Sequence, residues 1–341
     1  MRVVMLSTDR TILSPTSPAA MRMRAYGALF DSLTVIVAGT GASQQIELAP
    51  NVEVRYPGGL SKPINALRIL FIARRIPADV LSAQDPFWTG VIGLCAFKPL
   101  QIQVHTDTWG VIGTILARFT LPRARRIRVV SERIRARVAQ VTSRPIDVIP
   151  IFVDPVRFSE LLPKPAEFGP HPRILVVSRL APEKRVDLAI RAIVHVPDAH
   201  LYIVGDGLLK ASLQSLAAAI GVADRTHFIG WRDDVRPYYQ HASCFACTSQ
   251  FEGYGMALVE AVLSGCSVVT TDVGVARDLP SGLCTVVPGD VNAFAGALRI
   301  QIQLETTIRT HGALEMRARM GSYDEYLSRY AQALRETCAR T

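Results

Sequence analysis

The chain has 341 residues, 49% of them hydrophobic, enough to bury the cores of two ordinary-sized domains and too apolar for a disordered chain. The richest apolar segments, 64–72 and 91–97, fall short of the roughly 18 to 20 residues that span a bilayer, which excludes an integral helical membrane protein. The net charge is +9, and the excess lies wholly in the first half: residues 1–160 hold 20 Lys plus Arg against 11 Asp plus Glu, and the remainder holds 18 against 18.

Met1 leads directly into Val3, Val4, Met5 and Leu6 without a basic leader, so the chain is expected to open on a strand and to act in the cytoplasm. Short β-branched runs then alternate with helical stretches, the pattern of parallel sheets wrapped by helices. In the first half, strands are expected near 3–6, 33–37, 52–56, 79–82, 101–105, 127–130 and 147–149. Basic residues gather at Arg68, Arg74 and Arg75, beside Leu67, Leu70 and Phe71, and again from Arg123 to Arg137. Such a face reads either as a site for anionic lipid headgroups, placing the protein peripherally on the inner face of the membrane, or as a plain solvated surface. Nucleic acid fits less well, because the arginine stretch has no aromatic residues interleaved for base stacking. Pro163, Pro165, Gly169, Pro170 and Pro172 mark 161–172 as a linker between a first domain over 1–160 and a second over 173–320. Strands of the second half are expected near 174–178, 201–204, 227–229, 244–247, 267–270 and 285–287. Tyr323, Tyr326, Leu327, Tyr330 and Leu334 recur at helical spacing, so the tail over 321–341 should dock one helical face.

Six cysteines lie scattered in apolar runs of a chain too long to need staples, and are read as reduced. Cys244 and Cys247 have metal-ligand spacing, but no second half-site accompanies them, so no metal is expected there. The segment from Cys244 to Gly265 carries the chemistry. A buried strand gives way to a loop with Gly253 and Gly255, then to the apolar helix Met256, Ala257, Leu258, Val259, Glu260, Ala261, Val262, Leu263. Strand, glycine loop and helix start together make a phosphate pocket, since unpaired amides and the helix dipole face the anion. Glu260 is the only charge in that helix and needs a partner. Glu252 precedes it by eight positions, so two carboxylates should border one pocket. Ribose or sugar hydroxyls would satisfy them, or Glu260 pairs structurally with an arginine such as Arg179. Arg179 and Lys184 follow a strand end, where open parallel sheets bind ligands, and suit a diphosphate.

Arg179, Lys184, the turn Gly205-Asp206-Gly207, the strand end Phe228-Ile229-Gly230 and Glu252-Gly253-Tyr254-Gly255 leading to Glu260 stand in the order found in glycosyltransferase family 4, which the second half resembles along nearly its whole length. In the first half, Val104-His105-Thr106-Asp107 resembles the family's acceptor-side histidine motif. The resemblance implies an α/β protein of GT-B fold, two Rossmann-like parallel-sheet domains facing across a cleft, with the C-terminal helix crossing back to the first. It implies that Glu260 holds the donor ribose and that Arg179 and Lys184 hold the diphosphate. Tyr254 and the amides of Gly255, Met256 and Ala257 would complete the donor site, with Glu252 on the transferred sugar and His105 on the acceptor side. Three positions depart from the family: Arg185 replaces the usual glycine after the lysine, Val275 follows Gly274 where a second glycine is common, and the loop Ser7–Ala20 has no glycine.

The activity so implied moves a sugar from a nucleotide-diphosphate donor to a glycan or lipid-linked acceptor, with anomeric configuration retained. No cofactor is expected beyond the co-substrate, and no Asp-x-Asp pair is present to hold a divalent ion. Two rivals share the architecture: a sugar-nucleotide epimerase, and a non-catalytic protein that binds nucleotide or membrane.

Overall fold

Runs of Val, Ile and Leu between turn residues extend because β-branched side chains pack well on a pleated surface and lose rotamers in a helix. In a computed structural model, which describes residues 1–339, the runs anticipated above form strands of two sheets. The chain divides into two compact units: Met1–Pro150 with the segment beginning at Tyr323, and Ile151–Ser322. Residues 340 and 341, the end of the expected tail, lie outside the described residues.

Unit 1 holds β1 (Arg2–Ser7), β2 (Ser32–Val37), β3 (Gln44–Ala49), β4 (Val52–Tyr56), β5 (Val80–Ala83), β6 (Leu100–Val104), β7 (Arg126–Val129) and β8 (Ile146–Val148). The strand order is β3-β4-β2-β1-β5-β6-β7-β8. All pairings are parallel except β3 against β4. The edge strand β3 escaped the sequence reading because Gln44, Gln45 and Glu47 dilute its apolar signal, although Ile46 and Leu48 alternate correctly before a Pro50-Asn51 turn. Its helices are α1 (Pro18–Gly27), α2 (Lys62–Arg75), α3 (Trp88–Cys95), α4 (Gly110–Thr120) and α5 (Glu132–Ala139).

Unit 2 contains β9 (Arg173–Val177), β10 (His200–Val204), β11 (Thr226–Gly230), β12 (Cys244–Cys247), β13 (Val268–Thr270) and β14 (Cys284–Val286), all parallel, in the order β11-β10-β9-β12-β13-β14. Its helices are α6 (Val186–Ile193), α7 (Lys210–Ala219), α8 (Arg236–His241), α9 (Met256–Leu263), α10 (Val291–Gln301) and α11 (Thr306–Met320). Six of the eight residues of α6 are buried, packing on the sheet beside α7 and α10. Each buried Val, Leu or Ile among them stabilises the fold by about 1.5–3 kcal/mol. Cys244, Cys247 and Cys266 are buried in this core, and burial pushes their thiols up, away from the reactive thiolate.

The proline-rich segment 161–172 packs within unit 2. Phe168 is buried edge-on against Tyr202 and Tyr238, Glu167 pairs with Arg232, and the Leu162 amide donates to Gln240. The division between the units comes before it, at Pro150 and Ile151.

The last helix, α12 (Tyr323–Cys338), belongs to unit 1 and packs against α1 and strands β5, β6 and β7. Tyr330 stacks on Tyr26 with ring centres 4.1 Å apart, and the Tyr26 and Tyr326 hydroxyls lie 2.6 Å apart. Under them Arg128 is buried, donating to Gln103 Oε1 at 2.7 Å and to the Ile149 carbonyl, with its guanidinium 5.0 Å from the Tyr330 ring centre. Other members of the 123–137 group are also engaged: Arg126 pairs with Asp147 and Glu336, Arg133 with Asp107, and Arg135 with Glu132. That stretch therefore does not present one free basic face. Among the described residues, no helix is long and apolar enough to cross a membrane.

Candidate donor site in unit 2

In unit 2 the chain builds the sheet outward from β9 through β10 to β11, then returns to place β12 on the other side of β9. Loops leaving two strands at such a reversal go opposite ways and leave a crevice at their carboxyl ends. The loop after β9 carries Arg179 and Lys184, and the loop after β12 carries Glu252 to Gly255. Residues 68 positions apart thus meet.

Lys184 Nζ donates to Glu252 Oε1 at 2.6 Å, and Ser249 Oγ donates to the same oxygen at 2.7 Å. The two loops are also joined through backbone: Thr248 Oγ1 donates to the Lys184 carbonyl at 2.8 Å, and the Gln250 amide to the Glu183 carbonyl at 2.8 Å. Lys184 and Glu252 are 16% and 20% exposed, so the pair is sheltered but within reach of a ligand. Arg179 is 73% exposed and pairs with Glu183 at 3.3 Å. Beneath it, Ser178 Oγ is buried without a hydrogen-bond partner among the described residues.

Glycines allow these loops to approach one another. A Cβ on Gly205 would fall 1.9 Å from the Ser178 carbonyl oxygen, and one on Gly274, at φ +50°, would fall 2.2 Å from that of Tyr254. The neighbour of Gly274, Val275, has φ −91° and donates its amide to the Tyr254 carbonyl at 2.9 Å, so a side chain there is tolerated. Arg185 differs. It takes the left-handed conformation, φ 47°, which explains why glycine suits the position, and its guanidinium reaches Asp187. A non-glycine residue there costs roughly 1 kcal/mol. Arg185→Gly is therefore expected to raise the melting temperature by roughly 1–3 °C; an unchanged or lower value in a thermal melt would show that no strain is stored.

Helix α9 begins at Gly255, itself in the left-handed region, and no side chain caps it. Its first satisfied amide is that of Leu258, which donates to the Gly255 carbonyl; among the described residues the amides of Met256 and Ala257 have no partner. Open amides and the positive end of the helix dipole face outward together. The first helix of unit 1 contrasts with it. Ser17 caps α1 by accepting from the Ala20 amide, and Pro18 at its first position has no amide to offer.

Glu260 sits on α9 among buried Leu258, Val259, Ala261, Val262 and Leu263. Its hydrogen-bond partner is the Tyr239 hydroxyl, which donates to Oε2 at 3.3 Å. Arg179 is not that partner. Burial pushes the Glu260 carboxyl up, against the lowering effects of the Tyr239 bond and then of Arg157. Neither Tyr239, Ser249 nor Arg157 was singled out from sequence; they sit on other elements with no motif to flag them.

His105 belongs to unit 1, just past β6. Burial, then the charges of Arg128 and Arg22, push its imidazole down to about 3, so the ring is neutral at physiological pH.

The family profile of Glycosyl transferases group 1 matches residues 171–303, and that of Glycosyltransferase Family 4 matches residues 23–157, so both units are covered. The chain belongs to glycosyltransferase family 4. This family 4 chain is 32% identical over 143 residues to the lipopolysaccharide core biosynthesis glycosyltransferase LpsE of Rhizobium meliloti, a stretch that covers 41% of the chain and 42% of LpsE. It is 29% identical over 254 residues to the 2-deoxystreptamine glucosyltransferase of Streptomyces kanamyceticus, covering 63% of each. The matched stretches thus span less than two thirds of these relatives' own lengths. Among solved structures, Anabaena HepE in complex with UDP superposes with a TM-score of 0.76 at 19% identity, covering 98% of this chain and 100% of HepE. The family 4 chain accordingly has the GT-B fold, with two parallel-sheet α/β units.

Proposed function

We propose that the protein transfers a glycosyl group from a nucleoside diphosphate sugar to a hydroxyl of a glycan or lipid-linked acceptor, retaining the anomeric configuration. The observation that carries this reading is the open start of α9, four residues after Glu252, whose carboxylate pairs with Lys184 across the sheet reversal. A diphosphate accepts from the amides of Met256 and Ala257 and from Lys184 and Arg179, while Glu260 accepts from ribose hydroxyls. As the bond from the anomeric carbon to the phosphate oxygen breaks, its electron pair stays on the diphosphate. The cations and amides then stabilise charge that grows towards the transition state, a task that needs no divalent ion. The acceptor oxygen bonds to the anomeric carbon on the same face, and its proton passes to the departing diphosphate. Glu252, held by Lys184 and Ser249, is better placed to orient and polarise the sugar than to attack it, because an ammonium at 2.6 Å draws on the same lone pairs. His105, neutral, serves as a hydrogen-bond partner on the acceptor side.

UDP-sugars are the first donors to examine, because HepE was solved with UDP, and the name of LpsE supports an acceptor in cell-surface glycan assembly. Thermal shift with UDP-, GDP- and ADP-sugars should show stabilisation by one nucleotide class. NMR of the stabilising donor with a glycan acceptor should then show a new glycoside of unchanged anomeric configuration and free nucleoside diphosphate. Conversion of donor to an isomeric sugar nucleotide without acceptor would replace this reading with an epimerase.

A further inference from the structure

Helices α2, α3 and α4 follow β4, β5 and β6, and each crossover moves the same way across the unit 1 sheet. Right-handed crossovers place all three on one face, running in the same direction, with α2 beside α3 and α3 beside α4. Together they carry five basic residues, Lys62, Arg68, Arg74, Arg75 and Arg118, and no Asp or Glu; α3 has no charged residue at all.

Their outward side chains are large and apolar. Leu67 and Phe71 on α2 and Val111, Ile115 and Phe119 on α4 are exposed at i, i+4 spacing, and Phe97, just past α3, is 83% exposed. Every one of these phenylalanines has a guanidinium over its ring: Arg75 lies 3.6 Å from the centre of Phe71, Arg74 4.9 Å from Phe97 and Arg123 4.2 Å from Phe119. Arg74 Nε also donates to the Cys95 carbonyl at 2.9 Å, tying the end of α2 to the end of α3. Helix dipoles explain cations at helix C-termini. They give no reason for an exposed phenylalanine beside each one.

We infer that this face lies on an anionic lipid bilayer, with the apolar side chains in the boundary between headgroups and acyl chains and the arginines on lipid phosphates. Large apolar residues rimmed by long cations, with acids absent, match a surface that is apolar inside and negatively charged at its edge. The cations of these helices together with Arg123, rather than the engaged Arg126, Arg128, Arg133 and Arg135, supply the attraction. The contact lies along the surface, and because it involves unit 1 alone and needs no nucleotide, its failure would leave the donor site of unit 2 untouched.

Flotation of the full chain with vesicles tests this. Binding to phosphatidylcholine containing phosphatidylglycerol is expected, with little to phosphatidylcholine alone and a decline in raised salt. Phe71→Ser with Ile115→Ser should weaken binding at least tenfold. Arg75→Gln with Arg123→Gln should weaken it roughly 25-fold, at about fivefold for each cation near a charged surface. All four positions being exposed or surface-facing, melting curves should match the parent; if the apolar pair unfolds, the arginine pair alone decides. Absence of binding to the mixed vesicles, or binding unchanged in the arginine variant, would overturn the inference. So would sedimentation showing that the lipid-free chain dimerises and that the same variants make it monomeric, since the face would then be covered by a second copy.

Discussion

Glu252→Gln is expected to lower turnover by about 10²–10³-fold, the usual effect of removing one group aimed at the reacting centre, while leaving affinity for the free nucleoside diphosphate equal or tighter. The sign of the second effect follows from the geometry. The Lys184 ammonium is held by the Glu252 carboxylate at 2.6 Å, and that carboxylate opposes an incoming anion. Glutamine keeps a bond from Ser249 Oγ, which lies 2.7 Å from the present carboxylate oxygen, but removes the charge. Steady-state kinetics and calorimetry separate the two effects. A fully active variant would remove Glu252 from the chemistry, and a large loss of nucleotide affinity would make it a structural brace for Lys184.

Lys184→Ala should weaken binding of the free nucleoside diphosphate by roughly 10- to 100-fold, the loss of a charge-assisted hydrogen bond of about 1.5–3 kcal/mol. Folding should change little, because the pair is partly exposed and Glu252 keeps Ser249. Calorimetric titration reads the affinity directly. An unchanged dissociation constant would place the phosphate site elsewhere on the chain.

The parallel strands were legible because burial on both faces of a wrapped sheet demands nearly continuous β-branched runs, as in Val3 to Leu6 or Leu201 to Val204. The edge strand β3 was not, since one side faces solvent and its polar residues follow. Proline content alone marked 161–172 as irregular, but its attachment to unit 2 depends on one aromatic, Phe168, whose contacts Tyr202 and Tyr238 are distant in sequence. Within the site, the family motifs named Arg179, Lys184, Glu252 and Glu260 individually. That Lys184 meets Glu252 follows from the reversal of strand order between β9 and β12, which no local pattern encodes. The Tyr239 bond to Glu260 is of the same kind, joining α8 to α9. The family motif also named His105, but its neutral state rests on burial first and then on Arg128, from the next strand, and Arg22, from α1, which no local pattern announces. Arginine spacing in sequence was uninformative for a related reason: Arg126 and Arg128, two residues apart on β7, share one face, where Asp147 and Glu336 engage the first and Gln103 and the Ile149 carbonyl engage the second.

Hydrogen–deuterium exchange on the peptide spanning 252–263, with and without UDP, bears most directly on the open start of α9. The amides of Met256 and Ala257 have no partner among the described residues and should exchange quickly, then slow at least tenfold once a diphosphate accepts from them. UDP binding that leaves this peptide unchanged and protects another part of the chain would contradict the account.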